Sequence, residues 1–308
     1  MRTRTRLTLG PLYFLWGEAK WRDFYLRIAD EAPVDRVVIG ETVCSKRMHF
    51  IEPYLAEVIE RLISAGKEVV LSTLALVTLD REAQLVRSLA EQDDFVVEAN
   101  DLSALHLLAG KPHTIGPLIN VYNGATARLL ASRGATSICL PPELPAGSVT
   151  GILTAVPDTD FEIFAFGRIP LAISARCAHA RAKGNIKDTC KFVCGEEPDG
   201  LPVRTLAGQS FLTLNGVQTV SHTCQALVQE IPGLIDAGLA GFRLSPQDCD
   251  MVAVAQLYRG VTAGLIEPEQ ALAELAEVYP DVPFSNGFHH QREGAAWVAR
   301  ARSAALGN

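Results

Sequence analysis

The sequence predicts an α/β protein, a TIM-barrel-like (β/α)₈ single domain with a cysteine-rich insertion after the seventh strand. Three observations support this prediction. Short apolar, β-branched segments alternate with longer amphipathic ones along the first two thirds of the chain, which is typical of a parallel sheet wrapped by helices. Eight strand-like segments occur in 308 residues, a normal length for one barrel. No glycine-rich dinucleotide fingerprint follows the first strand, which disfavours an open Rossmann sheet.

The strand and helix patterns follow one another in order. The predicted strands are residues 7–14, 36–39, 68–71, 95–98, 114–119, 136–140, 162–166 and 241–244. Apolar positions at helical spacing predict helices over residues 22–31, 51–65, 79–92, 125–133 and 248–258. We expect a single domain over residues 1–308, with a tail at 284–308 that contains an alanine-rich helix and closes over the fold.

Composition and charge exclude several classes of protein. Hydrophobic residues make up 48% of the chain and charged residues 20%, values that exclude a disordered protein. The formal net charge of −7 gives no overall attraction to nucleic acid or to anionic membranes. The basic start and the apolar residues 7–16 are similar to a signal peptide, but a buried first strand is favoured because Gly10-Pro11 interrupts the run. No apolar stretch is long enough for a transmembrane helix, so we expect a cytoplasmic protein.

Three of the seven cysteines lie close together in a polar segment. Cys177, Cys190 and Cys194 fall within residues 175–202, where the strand–helix pattern breaks. Such a segment cannot bury a core alone, so we expect an insertion that a ligand orders. Cys44 follows the second strand, at the barrel end where enzymes place their sites, and is the candidate fourth thiolate. We expect the remaining three in the core: Cys139, Cys224 and Cys249.

Four thiolates suit either an iron–sulfur cluster or a structural zinc ion. Structural zinc is generally held by two tightly spaced pairs of ligands. Only one tight pair is present here, the C-x3-C of Cys190 and Cys194. The spacing therefore favours an iron–sulfur cluster over zinc and leaves zinc as the alternative.

The residues before the cysteine-rich segment resemble a known family. Residues 161–177 read Phe-Glu-Ile-Phe-Ala-Phe-Gly-Arg-Ile-Pro-Leu-Ala-Ile-Ser-Ala-Arg-Cys, which resembles the signature of the U32 (collagenase-like) peptidase family. The matching positions are Glu162, Phe164, Gly167, Ser174 and Cys177. The main branch of the family has a histidine and a further cysteine where Phe166 and Pro170 stand here. These residues, with Gly-Glu-Thr-Val-Cys-Ser-Lys-Arg at 40–47 and Asn-Gly-Phe-His at 286–289, are similar to a subfamily that acts in oxygen-independent ubiquinone biosynthesis.

The resemblance covers nearly the whole chain and carries several expectations. It implies a 4Fe-4S cluster held by Cys44, Cys177, Cys190 and Cys194. It implies a heterodimer with a homologous subunit and a lipid-carrier accessory protein as a further partner. Together these proteins would hydroxylate the ring of a ubiquinone precursor under anaerobic conditions, with prephenate, used by tRNA-hydroxylating relatives, as a candidate oxygen donor. The alternatives are a structural cluster-bearing partner whose companion does the chemistry, and a zinc or thiol peptidase.

Peptidase chemistry finds little support in the residues. A thiol peptidase needs a paired cysteine and histidine. His179 lies two residues after Cys177, but a hydrogen-bonded histidine in a polar insertion is the commoner situation. No H-E-x-x-H motif is present for a metallopeptidase. We therefore expect that the chain is not an active peptidase.

Four further charged residues are candidates for the site. Glu41 and Glu162 fall near predicted strand ends, where each could donate a proton or form a structural ion pair with a nearby arginine such as Arg176. Arg168 and Arg176 could bind a carboxylate, because the guanidinium fork matches carboxylate geometry.

Overall fold

The computed structural model describes residues 4–299 and contains a closed barrel of parallel strands. The strands are β1 (Arg6–Leu9), β2 (Arg36–Ile39), β3 (Glu68–Ser72), β4 (Val96–Ala99), β5 (His113–Ile115), β6 (Ala135–Leu140), β7 (Asp160–Ile173), β8 (Leu201–Arg204), β9 (Ser210–Asn215), β10 (Gln218–Ala226), β11 (Gly241–Leu244) and β12 (Phe284–Ser285). Strands β1 to β7 pair in chain order, and β11 pairs with both β7 and β1. This closure confirms the eight-stranded barrel and rules out the open sheet.

Helices follow the barrel strands and cover their outer side. They are α1 (Glu18–Glu31), α2 (Met48–Ser64), α3 (Asp80–Glu91), α4 (Leu102–Leu107), α5 (Gly124–Ser132), α6 (Ala146–Ala155), α7 (Ala178–Ala182), α8 (Ile231–Asp236), α9 (Met251–Thr262) and α10 (Pro268–Val278). Each helix predicted from the sequence overlaps an observed helix, because its apolar face packs on the outside of the sheet. The five predictions match α1, α2, α3, α5 and α9.

The first strand is shorter than predicted. The sequence predicts a strand over residues 7–14, but β1 ends at Leu9. The amide of Gly10 still donates to the carbonyl of Leu244 at 2.8 Å, whereas Pro11 has no amide hydrogen to continue the ladder. The apolar residues that follow, Tyr13 among them, are buried at the end of the barrel rather than within a strand.

A buried network of arginines and carboxylates crosses the interior of the barrel. Arg243 on β11 donates to Glu98 on β4 at 3.0 Å, and these strands lie on opposite sides of the closed sheet. Glu162, near the start of β7, forms ion pairs with Arg6 at 2.9 Å and with Arg36 and Arg243 at 3.4 Å. Of the two roles considered for Glu162, proton donor and structural ion pair, these contacts support the structural one. Its partners are these three arginines rather than Arg176.

Strand β7 belongs to two parts of the sheet, and Gly167 marks the change. Up to Phe166 it pairs in parallel with β11, and from there onward it runs antiparallel to β10. Gly167 has a φ of +129°, and a Cβ at this position would lie 2.7 Å from the Cβ of Ser245. Only glycine fits this conformation, which gives a physical reason for the glycine of the family signature.

The chain leaves the barrel after β7 and returns along β10. This excursion, residues 174–226, contains α7, two short 3₁₀ turns at Lys187–Thr189 and Val193–Gly195, and the antiparallel strands β8, β9 and β10. The cysteine-rich residues 175–202 form its first half. Pro202 lies in β8, at the edge of the sheet, where a missing amide hydrogen is tolerated.

The tail packs against the body of the protein through β12 and Asn286. Strand β12 pairs with β10, and the side chain of Asn286 donates to Glu230 and accepts from the amide of Val298. Residues 295–299 form no helix, and the rest of the predicted alanine-rich helix, 300–308, lies outside the described residues. Within residues 4–299, every helix is too short or too polar to cross a membrane.

Candidate functional site

The four candidate cysteines come from two parts of the fold and converge at one place. Cys44 lies in the loop after β2, and the other three lie in the excursion. Cys177, at the start of α7, packs in a small apolar cluster. Cys44 and Cys190 are partly buried and pack against the same cluster. Cys194 is also buried, and it lies close enough to Cys177 to help raise the pKa of that thiol. The loop of the barrel and the excursion thus share one sulfur-rich site.

All four side chains are free thiols. Burial raises the pKa of Cys44, and burial together with the neighbouring Cys194 and Cys190 raises that of Cys177. A set of four sulfur donors fits the ligand requirement of a 4Fe-4S cluster, whose irons take one cysteine thiolate each. Within residues 4–299, no three His, Cys, Asp or Glu side chains form a group suited to a single metal ion.

Glu41 fixes the loop that carries Cys44. Its Oε1 accepts the amides of Val43 at 2.8 Å and of Cys44 at 2.9 Å. Ser45 continues the anchoring by donating to Glu82 of α3 at 2.6 Å. Burial raises the pKa of Glu41, although the nearby Arg47 and the two amides oppose this effect. Glu41 thus shapes the cysteine loop rather than pairing with an arginine at hydrogen-bond distance.

The turn between Cys190 and Cys194 has an unusual backbone. Lys191 and Phe192 have φ values of 51° and 54°, a left-handed conformation that non-glycine residues rarely adopt. Each residue in this conformation lowers the stability of the fold by about 1 kcal/mol or more, which surrounding contacts must offset. The ring of Phe192 packs edge-on against Phe50 of α2, with 4.9 Å between the ring centroids, and this contact helps to hold the turn. The turn is thereby held against the barrel.

His179 is a buried structural residue. Its Nδ1 accepts the amide of Gly216 at 3.4 Å, so the neutral ring carries its hydrogen on Nε2 and donates it to Glu197 at 3.0 Å. Both ring nitrogens are therefore engaged away from Cys177, whose sulfur accepts the amide of Ala180 at 3.3 Å. This histidine is not placed as the base of a cysteine peptidase.

A basic cleft of about 740 Å³ opens beside Cys177. Arg176, Arg181 and Arg81 line it, and within residues 4–299 their guanidinium groups make no hydrogen bond or ion pair. Lys46 and Lys187 add further positive charge, and Asp188 is the single acidic residue of the lining. Unpaired guanidinium groups in a cleft suit a ligand with carboxylate or phosphate groups.

Only one of the two arginines proposed from the sequence is available to such a ligand. Arg176 lies in the cleft, as expected for a carboxylate-binding residue. Arg168 is buried instead, where it donates to the carbonyl of His222 at 2.7 Å and to Asp199 at 2.5 Å. Its predicted binding role is therefore wrong, because its donors already hold β7, β10 and the end of the cysteine-rich segment together.

Most of the basic residues at the site are not recognisable from the sequence. Arg81 comes from α3, Lys46 from the loop after β2, and Arg181 from α7. Nothing in the local sequence separates them from surface charges, since the cleft exists only after three distant segments pack together. Arg47 differs from these residues, because its position three residues after Cys44 was a visible signal that the sequence predictions did not use.

The fold and the site together define a TIM-barrel protein with a cysteine-rich excursion at the end of its seventh strand. Residues 24–299 match the model of "Peptidase family U32". The chain belongs to this family.

Two solved structures illustrate the similarity at the level of the fold. N-acetylneuraminate lyase from Mycoplasma synoviae (crystal form I) is 10% identical, with a TM-score of 0.46, and the match covers 91% of this chain and 82% of the lyase. A truncated 3-deoxy-D-arabino-heptulosonate 7-phosphate synthase from Thermotoga maritima is also 10% identical, with a TM-score of 0.36, over 92% of this chain and 91% of the synthase.

Proposed function

We propose that this chain is the iron–sulfur subunit of an oxygen-independent hydroxylase in anaerobic ubiquinone biosynthesis. In this proposal it works as UbiV does, whose cysteine motifs it resembles, in a heterodimer with a UbiU-type subunit and with a lipid-carrier accessory protein. Cys44, Cys177, Cys190 and Cys194 would hold a 4Fe-4S cluster. The convergence of these four cysteines from two separate parts of the fold is the observation that carries the proposal.

The protein's own residues would prepare the site in two ways. Glu41 and Ser45 hold the loop of Cys44 in place, and the packing of Phe192 on α2 holds the turn of Cys190 and Cys194. These contacts position the two segments that carry the sulfurs, which would lose their protons on becoming ligands. A 4Fe-4S cluster, once bound, supplies one-electron transfer.

The basic cleft would receive the oxygen donor. Prephenate carries two carboxylates, and Arg176, Arg181 and Arg81 offer uncommitted guanidinium groups beside Cys177. In this role the arginines orient the donor through its carboxylates and leave the hydroxylated ring carbon free. The adjacency of the cleft to Cys177 supports a donor site in this subunit, next to the cluster.

Anaerobic purification tests the cluster directly. We expect a brown protein with broad visible absorption that dithionite bleaches, and with iron and sulfide in equal amounts. Cys190→Ala should lose most of this iron, whereas Cys249→Ala should keep it, because Cys249 packs against the barrel core away from the site. Iron-free wild-type protein after careful anaerobic preparation, or full iron in Cys190→Ala, would overturn the proposal.

The alternative role is that of a structural partner whose companion subunit performs the chemistry. The burial of two of the four cysteines, Cys177 and Cys194, favours this role, since a cluster there would also tie the excursion to the barrel. Cys190→Ala separates the two roles. Loss of hydroxylation with an intact heterodimer indicates a cluster that takes part in the reaction, and loss of folding or of pairing indicates a structural cluster.

Peptidase activity is the weakest candidate. The hydrogen bonds of His179 to Glu197 and Gly216 leave Cys177 without a base, and burial disfavours its thiolate. Cleavage of a peptide by the iron-free protein would contradict this assignment.

A further inference from the structure

Arg47 is a buried arginine beside the cysteines with no carboxylate to neutralise it. Its side chain is 1% exposed, and no carboxylate oxygen within residues 4–299 lies within 4.0 Å of its nitrogens. Other buried arginines in the chain do have such partners: Arg243 pairs with Glu98, and Arg168 pairs with Asp199. Arg47 therefore differs from them in charge balance and not in burial.

Neutral groups hold the guanidinium in place. Nη1 donates to the carbonyl of Tyr13 at 2.7 Å, and Nη2 donates to Oδ1 of Asn215 at 3.0 Å, while Nε has no hydrogen-bond partner. The chain is shaped around this group, because a Cβ on Gly216 would lie 2.4 Å from Nη2. Gly216 also has a φ of +64°, which favours glycine. The position of the cation is thus built into β9 and the turn that follows it.

The groups that act electrostatically on Arg47 are mainly those of the sulfur site. The amide of Arg47 donates to the carbonyl of Cys44 at 2.9 Å, and Tyr13, whose carbonyl the guanidinium binds, packs in the apolar cluster of Cys177. A guanidinium stays charged in proteins. The side chain of Arg47 lies close enough to Cys194 for the two to interact. Glu41 lies farther away than an ion-pair distance, and its Oε1 is committed to two loop amides. The missing counter-charge is therefore expected at the cysteines themselves.

We infer that Arg47 is the charge-compensating residue of the iron–sulfur site: it offsets the negative charge of the four thiolates and makes reduction of the cluster easier. This inference rests on the proposed cluster. Reduction adds one electron, and hence one negative charge, to a site of low dielectric constant. A fixed cation there stabilises the reduced form more than the oxidised form.

Arg47→Met tests the inference through the midpoint potential of the purified, iron-loaded protein, titrated with dithionite and followed by electron paramagnetic resonance. We expect at least a tenfold fall in the equilibrium constant for reduction, which is a shift of about 59 mV to more negative potential for a one-electron couple. Arg47→Lys, which keeps the charge, should recover most of the shift. Arg259→Met is the control for loss of a partly buried arginine far from the site, because Arg259 binds the carbonyls of Thr5 and Pro33 and pairs with Asp35 at the opposite end of the barrel.

A second variant and a second measurement cover a failure of Arg47→Met to fold. Gly216→Ala keeps the charge but displaces Nη2, so it should shift the potential in the same direction by a smaller amount. In urea unfolding, Arg47→Met should destabilise the iron-loaded protein more than the iron-free one, since only the former contains the compensated charge.

The outcomes separate the two proposals. An unchanged potential in iron-loaded Arg47→Met and Gly216→Ala would overturn the role of Arg47 and leave the cluster intact. Equal destabilisation of the loaded and iron-free forms by Arg47→Met would indicate a structural role alone, which also contradicts the inference. A wild-type protein without iron would overturn the cluster, and with it the role of Arg47.

Discussion

Replacing Glu162 by glutamine should destabilise the protein in a way that depends on pH. Glu162 accepts hydrogen bonds from Arg6 at 2.9 Å and from Thr8 at 2.6 Å and is 1% exposed. Burial alone would raise its pKa, but Arg243, Arg6 and Arg36 lower it from 4.5 to about 2. A pKa difference of one between the folded and unfolded protein corresponds to about 1.4 kcal/mol of stability. The charged form of Glu162 therefore contributes about 3 kcal/mol to the stability of the fold.

The sign of the pH dependence follows from the lowered pKa. A carboxylate whose pKa is lower in the folded protein stabilises the fold above its unfolded pKa, here about 4.5. This contribution falls as the pH drops from about 4.5 towards 2. Glu162→Gln removes it at every pH and also leaves buried arginines short of a counter-charge, so we expect a loss of about 3–5 kcal/mol at neutral pH.

Urea unfolding followed by circular dichroism, from neutral pH down to about pH 3, measures this difference. The gap between wild type and Glu162→Gln should narrow as the pH falls, because Glu162 takes up a proton in the unfolded chain at a higher pH than in the folded protein. Glu57→Gln is the control, since Glu57 pairs with Arg22 on the exposed surface, where an ion pair contributes little to stability. A variant as stable as wild type at neutral pH, or a gap that does not change with pH, would refute the reasoning.

Two further predictions concern the excursion and the cleft. Gly167→Ala should lower the free energy of unfolding by about 2 kcal/mol or more, because its φ of +129° and the approach of Ser245 admit no side chain. Thermal unfolding checks this, with Gly147→Ala, in an open helical position, as a control that should be neutral or stabilising. An unchanged melting temperature for Gly167→Ala would contradict the prediction. Arg176→Ala should weaken prephenate binding about tenfold in calorimetry, because one charged hydrogen bond is lost. Arg87 is exposed on α3 outside the cleft, so Arg87→Ala should bind prephenate as wild type does. Equal affinity of the two variants would show that Arg176 does not bind the ligand.

The barrel was predictable because its strands and helices each have a periodic apolar pattern in the sequence. Strand β2, for example, is Arg36–Ile39 in the prediction and in the structure, since its apolar residues are buried on both faces. The end of β1 was not predictable from hydrophobicity, because Tyr13 and its neighbours are apolar for packing at the barrel end rather than for pairing. A run of apolar residues reports burial, and burial does not require a strand.

The charged residues of the site were harder to assign, for a physical reason. Arg168 and Arg176 stand eight positions apart in the same motif, yet one is buried on Asp199 and the other lines the cleft. Which arginine is free depends on where Asp199 and β10 come to lie, and this is a long-range property of the fold. The cysteine positions were easier to propose, since thiols in a polar segment already stand out from core cysteines such as Cys224.

The separate origins of the four thiols bear on how the site is assembled. Cys44 is synthesised 133 positions before Cys177, and the closing strand β11 follows Cys194 by 47 further positions. A nascent chain therefore carries only one thiol of the set until Cys177 is added. The last three lie beside it in a fold where β7 pairs with β6 and then turns outward at Gly167. The full set of sulfurs exists only in a chain whose barrel is nearly complete, so metal loading would follow folding of the barrel and act as a check on its completion.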